Sequence, residues 1–312
     1  MTLMPKTRVA FLGPVASFSH QAAVATFGQT CDLQPRSSFA DIFSELQSQD
    51  IHYAVIPFEN STNGSVVQIL DLFADRQGKY NDLAVCSEYY LTVHQCLLMR
   101  KSSSGKSLEE RYSSVQKLYT HPQAWGQCEK YLSKHFKGIE RQDTSSTSKA
   151  AHIVADLPEA EADTAAAIAS KFAADTNDNL EMVAENIEDV SGNTTRFLIL
   201  KNVKAPTSSN PIAKNTPSPP AKRKTLISFE IDHNQPGALA RALMLFKDYG
   251  MNLTSINSRP GLVRPWQYIF FVECVREPKA QPCDTAVAQV MQALQEVTEN
   301  CRDLGSWANQ LS

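Results

Sequence analysis

The chain is organised around one stretch, which reads Gly192-Asn193-Thr194-Thr195-Arg196-Phe197-Leu198-Ile199-Leu200. Its Leu-Ile-Leu tail is rich in strand formers and a Gly-Asn turn precedes it, so the pattern predicts a strand that a turn opens. Two threonine hydroxyls and a guanidinium lie between the turn and the apolar tail. In open α/β sheets, ligands collect at such strand ends. Thr-Arg-Phe alone is weak evidence for a site.

The composition bounds the class of protein. At 312 residues the chain exceeds the usual size of one domain, which predicts two or three domains. A formal net charge of −3 argues against a nucleic acid partner, because proteins that bind polyanions usually carry basic surfaces. No apolar run reaches the roughly 18–20 residues that span a membrane, and the first residues lack the apolar core of a signal peptide. We therefore expect a cytoplasmic protein with no membrane partner.

The cysteines and histidines form no metal-binding pattern. The seven cysteines contain no Cys-x-x-Cys pair, and the seven histidines show no His-x-x-x-His spacing. Buried thiols and ordinary core or surface histidines are the favoured interpretation. We expect no metal and no cofactor.

The first predicted strand leads directly into a helix with polar residues at its start. Residues 8–12 read as a buried strand that ends at Gly13-Pro14, and Ser17-Phe18-Ser19 opens the helix. A helix N-terminus presents free N–H groups and a positive dipole end to an anion. A plain serine N-cap explains the same residues and is the favoured alternative at this point.

Two further strand ends carry polar groups. Residues 51–56 read as a strand that Pro57 would stop, and the polar segment 59–64 follows. We favour a site in that segment, with a solvated loop as the alternative. Residues 115–119 read as another strand, and Thr120-His121-Pro122-Gln123 follows it at the start of a helix. Gln123 is placed to point out of a cleft wall, whereas His121 alone is more often a cap.

Strands and helices alternate over residues 1–201, which predicts open α/β sheets. A doubled strand at 83–99 and a return at 186–193 indicate two lobes that the chain crosses twice, with a cleft between them as the expected site. Residues 101–111 read as a Ser-rich surface loop. Residues 202–224 mix proline with Ser, Thr, Asn and Lys, which is typical of a semi-extended linker.

The last 88 or so residues, 225–312, form a separate module. Their pattern gives a strand, a helix, a hairpin, a second helix and a last strand, which is the βαββαβ order of a ferredoxin-like fold. Helices on one face would leave an edge and the other face of the sheet exposed. We therefore expect this module to pair with another copy.

Several motifs, taken together and in order, resemble those of prephenate dehydratases. They are Gly13-Pro14 with Ser17-Phe18-Ser19, Pro57-Phe58-Glu59-Asn60-Ser61 with Gly64, Thr120-His121-Pro122-Gln123-Ala124, Asn186-Ile187-Glu188-Asp189, and Asn193 with Thr195-Arg196-Phe197. The C-terminal module resembles the family's ACT domain at Gly237-Ala238-Leu239-Ala240, Asn257-Ser258-Arg259-Pro260 and Leu304-Gly305-Ser306-Trp307. At Asn257 the family's Glu-Ser-Arg-Pro motif has glutamate. The resemblance covers the chain apart from the linker.

The resemblance implies an architecture and a reaction. The architecture is a periplasmic-binding-protein-like domain with one lobe at about 1–90 plus 187–201 and the other at 91–186, then the linker 202–224 and the ACT domain 225–312. The reaction is loss of water and CO2 from prephenate to give phenylpyruvate, with phenylalanine as feedback ligand and a homodimer or homotetramer as the assembly. No helical segment precedes the first strand, so we expect no fused chorismate mutase.

The resemblance also assigns roles to the residues of the cleft. Thr195 would donate a hydrogen bond to the departing hydroxyl, and Asn60 and Gln123 would hold polar groups of the substrate. Ser19 and backbone N–H groups near Gly13 would hold a carboxylate. The remaining candidates for substrate binding are Ser61, Thr120 and Phe197.

Arg196 and Glu59 are the two charged candidates in the catalytic set. Side chains alternate along a regular strand, so Thr195 and Phe197 share one face and Arg196 takes the other. Either the strand breaks there and Arg196 meets the substrate, or Arg196 serves the scaffold. Glu59 would repel a dianion, so we expect it to orient its neighbours.

Five residues of the C-terminal module are candidates for binding phenylalanine at an interface between two copies: Gly237, Ala238, Leu239, Asn257 and Ser258. Gly237 would let the backbone approach an amino acid closely. The missing charge at Asn257 leaves the affinity open. Two alternative functions remain, an arogenate dehydratase and a non-catalytic amino-acid sensor, since both folds also occur in binding proteins.

Overall fold

The computed structural model describes residues 6–28, 30–206, 212, 222–276 and 283–311. Most of the predicted linker, including Pro217, Pro219 and Pro220, lies outside these residues. Within them, the strands form three sheets that pack with helices on their faces. No helix in the described ranges is long and apolar enough to cross a membrane.

Strands and helices alternate along most of the chain, as the pattern predicts. The strands are β1 (Arg8–Leu12), β2 (Asp32–Arg36), β3 (Tyr53–Asn60), β4 (Gly64–Ser65), β5 (Leu83–Thr92), β6 (Cys96–Arg100), β7 (Lys117–Thr120), β8 (Glu140–Asp143), β9 (Ala165–Ala169), β10 (Leu180–Ala184), β11 (Thr194–Asn202), β12 (Arg223–Glu230), β13 (Met251–Pro260), β14 (Tyr268–Arg276) and β15 (Asn300–Ala308). The helices are α1 (Phe18–Phe27), α2 (Phe39–Gln47), α3 (Val67–Ala74), α4 (Leu108–Ser114), α5 (Pro122–Gln127), α6 (Glu129–His135), α7 (Thr147–Ala155), α8 (Lys171–Asp175), α9 (Ala238–Asp248) and α10 (Cys283–Val297), with a 3-10 turn at Glu159–Glu161.

The opening stretch of the sequence is a strand of the first sheet. In the order β2-β1-β3-β11-β5, the strand β11 lies between β3 and β5 and runs antiparallel to both. Its apolar tail is buried on both faces, with Leu198 and Leu200 on the side of α2 and α3 and Phe197 and Ile199 on the side of α1. The strand prediction for this stretch is confirmed.

The chain passes twice between the first sheet and the second. The second sheet has the order β10-β6-β9-β7-β8, and its strands come from the segment between β5 and β11. The chain leaves the first sheet after Thr92 and returns to it at Thr194. We call the first sheet with its helices the first lobe, and the second sheet with its helices the second lobe. The predicted mixed α/β fold is confirmed, and the division into domains stays our prediction.

The C-terminal module has the predicted ferredoxin-like topology. Its sheet has the order β13-β14-β12-β15, with every neighbouring pair antiparallel. One face packs on α9 and α10, where Phe229, Phe246 and Leu294 are buried together. The other face is also covered, because Phe271 and Trp307 share a buried cluster with helices of the first lobe. The expectation of an exposed second face was therefore wrong.

Gly305 explains how closely the module approaches the first lobe. A Cβ atom added to Gly305 would lie 2.2 Å from the carbonyl oxygen of Val85 on β5. The backbones of β15 and β5 therefore touch at a point where no side chain fits. The closing Leu-Gly-Ser-Trp motif supplies this glycine next to the buried Leu304.

The structure corrects several predicted boundaries. The strand β3 continues through Pro57 to Asn60, because its register against β11 shifts between Arg196 and Phe197 and no ladder hydrogen bond is needed from the proline nitrogen. The strand β12 begins at Arg223, inside the predicted linker. The Ser-rich segment contains α4, which begins with a capping box between Ser107 and Glu110.

Candidate active site

A cavity of about 900 Å³ lies between the two lobes. The first lobe contributes the ends of β1, β2, β3 and β11 with the loops that follow or precede them. The second lobe contributes the start of α5 and the residues before α7. The crossing segment, which joins β5 to β6 between the lobes, adds Val93 and Gln95. The cleft predicted between two lobes is therefore present, at the ends of the strands.

Thr195 and Asn60 form a hydrogen-bonded pair on the wall of this cavity. They lie opposite each other in the ladder between β11 and β3. The side-chain nitrogen of Asn60 donates to the Thr195 hydroxyl oxygen at 3.0 Å and to the Asn193 side-chain oxygen at 2.7 Å. Among the described residues, no acceptor takes the hydrogen of the Thr195 hydroxyl. That hydrogen is available to a ligand.

The orientation of the Asn60 amide is fixed by its other end. Its carbonyl oxygen accepts hydrogen bonds from the backbone N–H groups of Thr62 and Asn63, both at 3.0 Å. Because both groups are donors, the atom of the Asn60 amide that faces them must be the oxygen and not the nitrogen. The nitrogen of Asn60 therefore faces Thr195.

The second lobe presents amide and hydroxyl groups to the same cavity. Gln123 lies in the first turn of α5, behind Pro122, and His121 caps that helix by accepting from the Gln123 N–H at 3.3 Å. The Gln123 side-chain amide makes no hydrogen bond to the rest of the described chain, and Gln123 lines the cavity. The expected position of Gln123 on a cleft wall matches the structure.

The electrostatics of the cavity suit an anion. Among the described residues that line it, none is Asp or Glu. The helices α1 and α7 both begin at the cavity, at the N-caps Ser17 and Ser146, and neither has an acidic residue in its first turn. Their positive dipole ends and free N–H groups are thus left for a ligand. Arg36 also lines the cavity, but Glu45 holds its guanidinium with two contacts of 2.6 Å.

The first lobe offers a second polar corner near β1 and α1. Ser19 lines the cavity, and its hydroxyl has no hydrogen-bond partner in the described part of the chain. The N–H of Gly13, by contrast, donates to the Arg36 carbonyl at 2.9 Å. The N–H group of Gly13 is therefore not available to a carboxylate, contrary to the prediction. The free N–H groups nearby are those of Phe18 and Ser19, in the first turn of α1.

Arg196 and Glu59 point away from the cavity. They lie opposite each other on the back face of the ladder and form an ion pair at 3.0 Å. Arg196 is 5% exposed, and Glu273 of the C-terminal module contacts its guanidinium at 2.6 Å. Of the two roles left open for Arg196, the geometry favours the scaffold.

Three other predicted substrate contacts lie beside the cavity instead of on it. Thr120 is fully buried, and its hydroxyl donates to the Ile168 carbonyl. Ser61 ties β3 to β11 through two hydrogen bonds with the Thr194 backbone. Phe197 is 1% exposed and packs in the core behind Thr195. These residues support the wall, and the sequence pattern alone did not separate them from residues that line it.

Several residues that line the cavity were not predicted from the sequence. Gln95 and Gln127 do so as a hydrogen-bonded pair at 3.0 Å, and Ser145, Ser146 and Thr147 do so from the second lobe. A usable signal existed for the last three, because a hydroxyl-rich segment before a helix repeats the pattern seen at Ser17. Gln95 lies in the crossing segment, and nothing in its local pattern marks it.

The candidate effector residues divide between the two faces of the C-terminal sheet. Gly237 caps α9 with a φ of 79°, and Ser258 shares with Phe270 the face that α9 and α10 cover. Asn257 lies on the opposite face, where its side-chain oxygen accepts a hydrogen bond from Ser65, a residue of the cavity wall, at 2.9 Å. Ala238 is buried and Leu239 half-buried against the module's core.

The chain thus belongs to the class of two-lobed α/β proteins with an ACT-type C-terminal module. Its two lobes, the cleft between them and the ferredoxin-like module are the features of that class. The comparisons with known proteins agree. A family model for prephenate dehydratase matches residues 9–205. The bifunctional chorismate mutase/prephenate dehydratase of Aquifex aeolicus is 34% identical over 100% of this chain and 76% of its own length.

A second relative and a solved structure point the same way. The prephenate dehydratase of Lactococcus lactis subsp. cremoris is 33% identical over 85% of this chain and 86% of its own. The crystal structure of a prephenate dehydratase from Arthrobacter aurescens in complex with L-Phe has a TM-score of 0.78, at 25% identity, over 97% of this chain and 90% of that one. The chain belongs to the prephenate dehydratase family.

Proposed function

We propose that the chain is a cytoplasmic enzyme that converts prephenate to phenylpyruvate, water and CO2, with the Thr195 hydroxyl as the donor to the departing group. The observation that carries this proposal is the hydrogen-bonded Asn60–Thr195 pair on the wall of an inter-lobe cavity that no Asp or Glu of the described residues lines. Family membership supplies the reaction class.

The reaction asks little covalent chemistry of the protein. The bond between the ring and its carboxylate breaks and releases CO2, and the electron pair of that bond moves into the ring. The C–O bond of the ring hydroxyl breaks, and the oxygen keeps the C–O electron pair. The departing hydroxide takes up one proton from the solution and becomes water. Because the product ring is aromatic, the protein mainly has to hold a dianion, assist the hydroxide and exclude water.

Thr195 is suited to assist the departing hydroxide. Its oxygen accepts from Asn60, so its hydrogen is free to point into the cavity. A threonine hydroxyl is a weak acid, and its contribution is a hydrogen bond that strengthens as negative charge develops on the leaving oxygen. A positioned hydrogen-bond donor of this kind contributes roughly 10²–10³ in rate.

The two substrate carboxylates need two anion-binding corners. We assign one to the first turn of α1 with Ser19, and the other to the start of α7 with Ser145 and Thr147. Gln123 is assigned to a polar group of the substrate between them. The two corners lie on different lobes, so a bound dianion would also hold the lobes together.

We further propose that phenylalanine binds the C-terminal module and lowers activity, at Gly237 and Ser258 between two copies of the chain. The strand β13 is one of the two outer strands of its sheet, with Leu253 and Ile256 exposed at 37% and 51%. Pairing of two such edges would give a homodimer, or a homotetramer from two dimers. The L-Phe complex of the A. aurescens enzyme supports an effector of this kind.

Asn257 fits a different role from Ser258 in this scheme. Because its side chain faces the first lobe and contacts Ser65, we assign it to communication between the module and the cavity wall. An effector that shifts β13 would then displace a residue of the active site. Light scattering with and without phenylalanine tests the assembly part of the proposal.

The test of the proposed function compares kcat/KM for prephenate and arogenate and follows phenylpyruvate or phenylalanine as product. Faster turnover of prephenate supports the proposal. Faster turnover of arogenate, in which an amino group replaces the keto oxygen, would reassign the substrate. A protein that binds phenylalanine and turns over neither compound would be the sensor of the alternative hypothesis.

A further inference from the structure

The back face of β11 connects the candidate active site to the C-terminal module. Arg196 directly follows Thr195, and its guanidinium lies between carboxylates of two parts of the chain. Its Nη1 atom is 2.6 Å from Oε2 of Glu273 on β14, and its Nη2 atom is 3.0 Å from Oε2 of Glu59 on β3. The side chains of Arg196 and Glu273 are only 6% and 4% exposed. The contact is therefore a buried ion pair between the first lobe and the module.

A second cation completes this buried cluster. Lys224 of the module lies with Nζ 3.1 Å from Glu88 on β5 and 3.7 Å from Glu273. It also donates a hydrogen bond to the Tyr90 hydroxyl at 2.8 Å. Burial alone lowers the pKa of Arg196 and of Lys224, but the carboxylates around them outweigh it and raise both pKa values above the usual ones. Both cations therefore stay charged around neutral pH, and each remains paired with carboxylates of the cluster.

Two contacts join β11 to β3 on opposite faces of the sheet. The Arg196–Glu59 ion pair lies on the back face, and the hydrogen bond between Asn60 and Thr195 lies on the face that lines the cavity. Thr195 lies opposite Asn60, and Arg196 lies opposite Glu59. The register shifts immediately after Arg196, because Phe58 of β3 is the extra residue between Glu59 and Pro57. Such a bulge bends the strand that carries it and increases the local twist of the pair. Glu59 and Asn60 directly follow the bulge, so the position of Asn60 against Thr195 depends on how Arg196 holds Glu59 on the back face.

We propose that Glu273 is a positioning residue for the dehydration step, because through Arg196 it holds the Thr195 hydroxyl against Asn60. The C-terminal module is then a structural part of the active site as well as the place for an effector. The inference rests on the proposed function, since it gives Glu273 a part in that reaction. Without Glu273, Arg196 would shift toward Glu59 and Glu88, its remaining carboxylate neighbours, and carry the adjoining backbone with it.

The substitution Glu273→Gln tests the proposal against a matched control, Arg302→Gln. Arg302 also joins the module to the first lobe, through Asp75 and the carbonyls of Phe73 and Tyr80. None of these four residues lines the cavity. Each variant therefore weakens the contact between the module and the first lobe, but only Glu273→Gln removes a partner of Arg196, the residue next to Thr195.

Both variants are expected to melt at a lower temperature than the wild type. Only Glu273→Gln should lower kcat, by roughly tenfold to a hundredfold with little change in KM, because a displacement of about 1 Å in an active site costs on the order of a hundredfold in rate. Glu273→Asp keeps the charge on a shorter side chain and should recover part of kcat. A kcat for Glu273→Gln equal to that of the wild type would overturn the proposal.

Hydrogen–deuterium exchange gives a readout that needs no turnover. Glu273→Gln should speed exchange in the segment 193–197, whereas Arg302→Gln should leave it unchanged. Equal protection of that segment in the wild type and in Glu273→Gln would overturn the positioning role. Inactivity of the wild type on prephenate would instead overturn the proposed function. If Glu273→Gln fails to fold, the same measurements on Glu273→Asp decide.

Discussion

The side-chain nitrogen of Asn60 donates a hydrogen bond to the hydroxyl oxygen of Thr195 across the ladder between β3 and β11, at 3.0 Å. This hydrogen bond fixes the position of the Thr195 hydroxyl oxygen and leaves the hydroxyl hydrogen free to bind a ligand in the cavity. Both residues lie at the end of their strands where the two lobes face each other. In the proposed function, the pair is the point at which the first sheet contacts the substrate.

Two substitutions of Asn60 should lower turnover by different amounts, and Asn60→Asp should lower it more than Asn60→Ala. Asn60→Ala removes the donor and lets Thr195 rotate, so kcat should fall by about a hundredfold. Asn60→Asp keeps the size but places a carboxylate there, which would accept the Thr195 hydrogen and repel a dianion. Steady-state kinetics should therefore find Asn60→Asp slower than Asn60→Ala, with a higher KM. The reverse order would contradict the role given to the Asn60 nitrogen.

Gly305→Ala should loosen the module from the first lobe. The new Cβ would lie 2.2 Å from the Val85 carbonyl oxygen, and a backbone atom cannot move aside as a flexible side chain can. A destabilisation of about 3 kcal/mol or more is expected, measured by urea unfolding. Gly250→Ala is the control, because Gly250 also has a positive φ but has open space around it, and it should cost only about 1 kcal/mol. Equal effects of the two substitutions would contradict the close contact.

Gly237→Ala should weaken the response to phenylalanine. Gly237 caps α9 with a φ of 79°, and an added Cβ strains that backbone where the amino acid is proposed to bind. An inhibition titration should show the half-inhibiting concentration rise by roughly tenfold, whereas Gly250→Ala, with a similar strain at the other end of α9, should leave it near the wild-type value. If both variants shift alike, the effect is one of stability and not of binding.

Acidification should destabilise the fold through His20. Its Nδ1 atom accepts the Ala16 N–H at 3.1 Å, and its ring stacks on Phe11 with centroids 4.8 Å apart, so the folded state prefers the neutral ring. Burial lowers the pKa of His20 below its usual value of about 6.5. The unfolded chain therefore binds the proton first, and stability that is complete above pH 6.5 is lost as the pH falls toward the folded pKa.

The measurement for His20 is the melting temperature between pH 7 and pH 5. The wild type should lose more stability over this range than His20→Gln, which cannot take up the proton. The loss cannot exceed about 1.4 kcal/mol for each pH unit, the limit for one titrating group. Identical pH dependence of the two proteins would contradict a buried neutral His20.

The sequence is informative wherever one strand end carries its own polar residues. Thr195, Asn60, Gln123 and Ser19 line the cavity, and each follows or precedes a strand or helix end that periodicity and turn residues locate. The ferredoxin-like order of the module also follows from local patterns. These features depend on residues close together in the chain, which is why local reasoning finds them.

The features that the sequence does not reveal depend on distant parts of the chain. Arg196 and Glu273 are 77 positions apart, and nothing in either local pattern announces their contact. The burial of the second face of the module's sheet is likewise a matter of docking. The helix α4 was not predicted, because seven residues are too few to show an apolar stripe. Ser107 and Glu110 nevertheless form a recognisable capping box at its start.

The role of the Thr195 hydroxyl is tested most directly by measuring turnover of prephenate by Thr195→Ala, Thr195→Ser and Thr194→Ala. Thr194 is the neighbouring threonine, its hydroxyl donates to the Gly192 carbonyl, and it does not line the cavity. Thr195→Ala should lose roughly 10²–10³ in kcat with KM nearly unchanged. Thr195→Ser should retain much of the activity, and Thr194→Ala should behave like the wild type. A Thr195→Ala variant with wild-type kcat would contradict the central role of that hydroxyl.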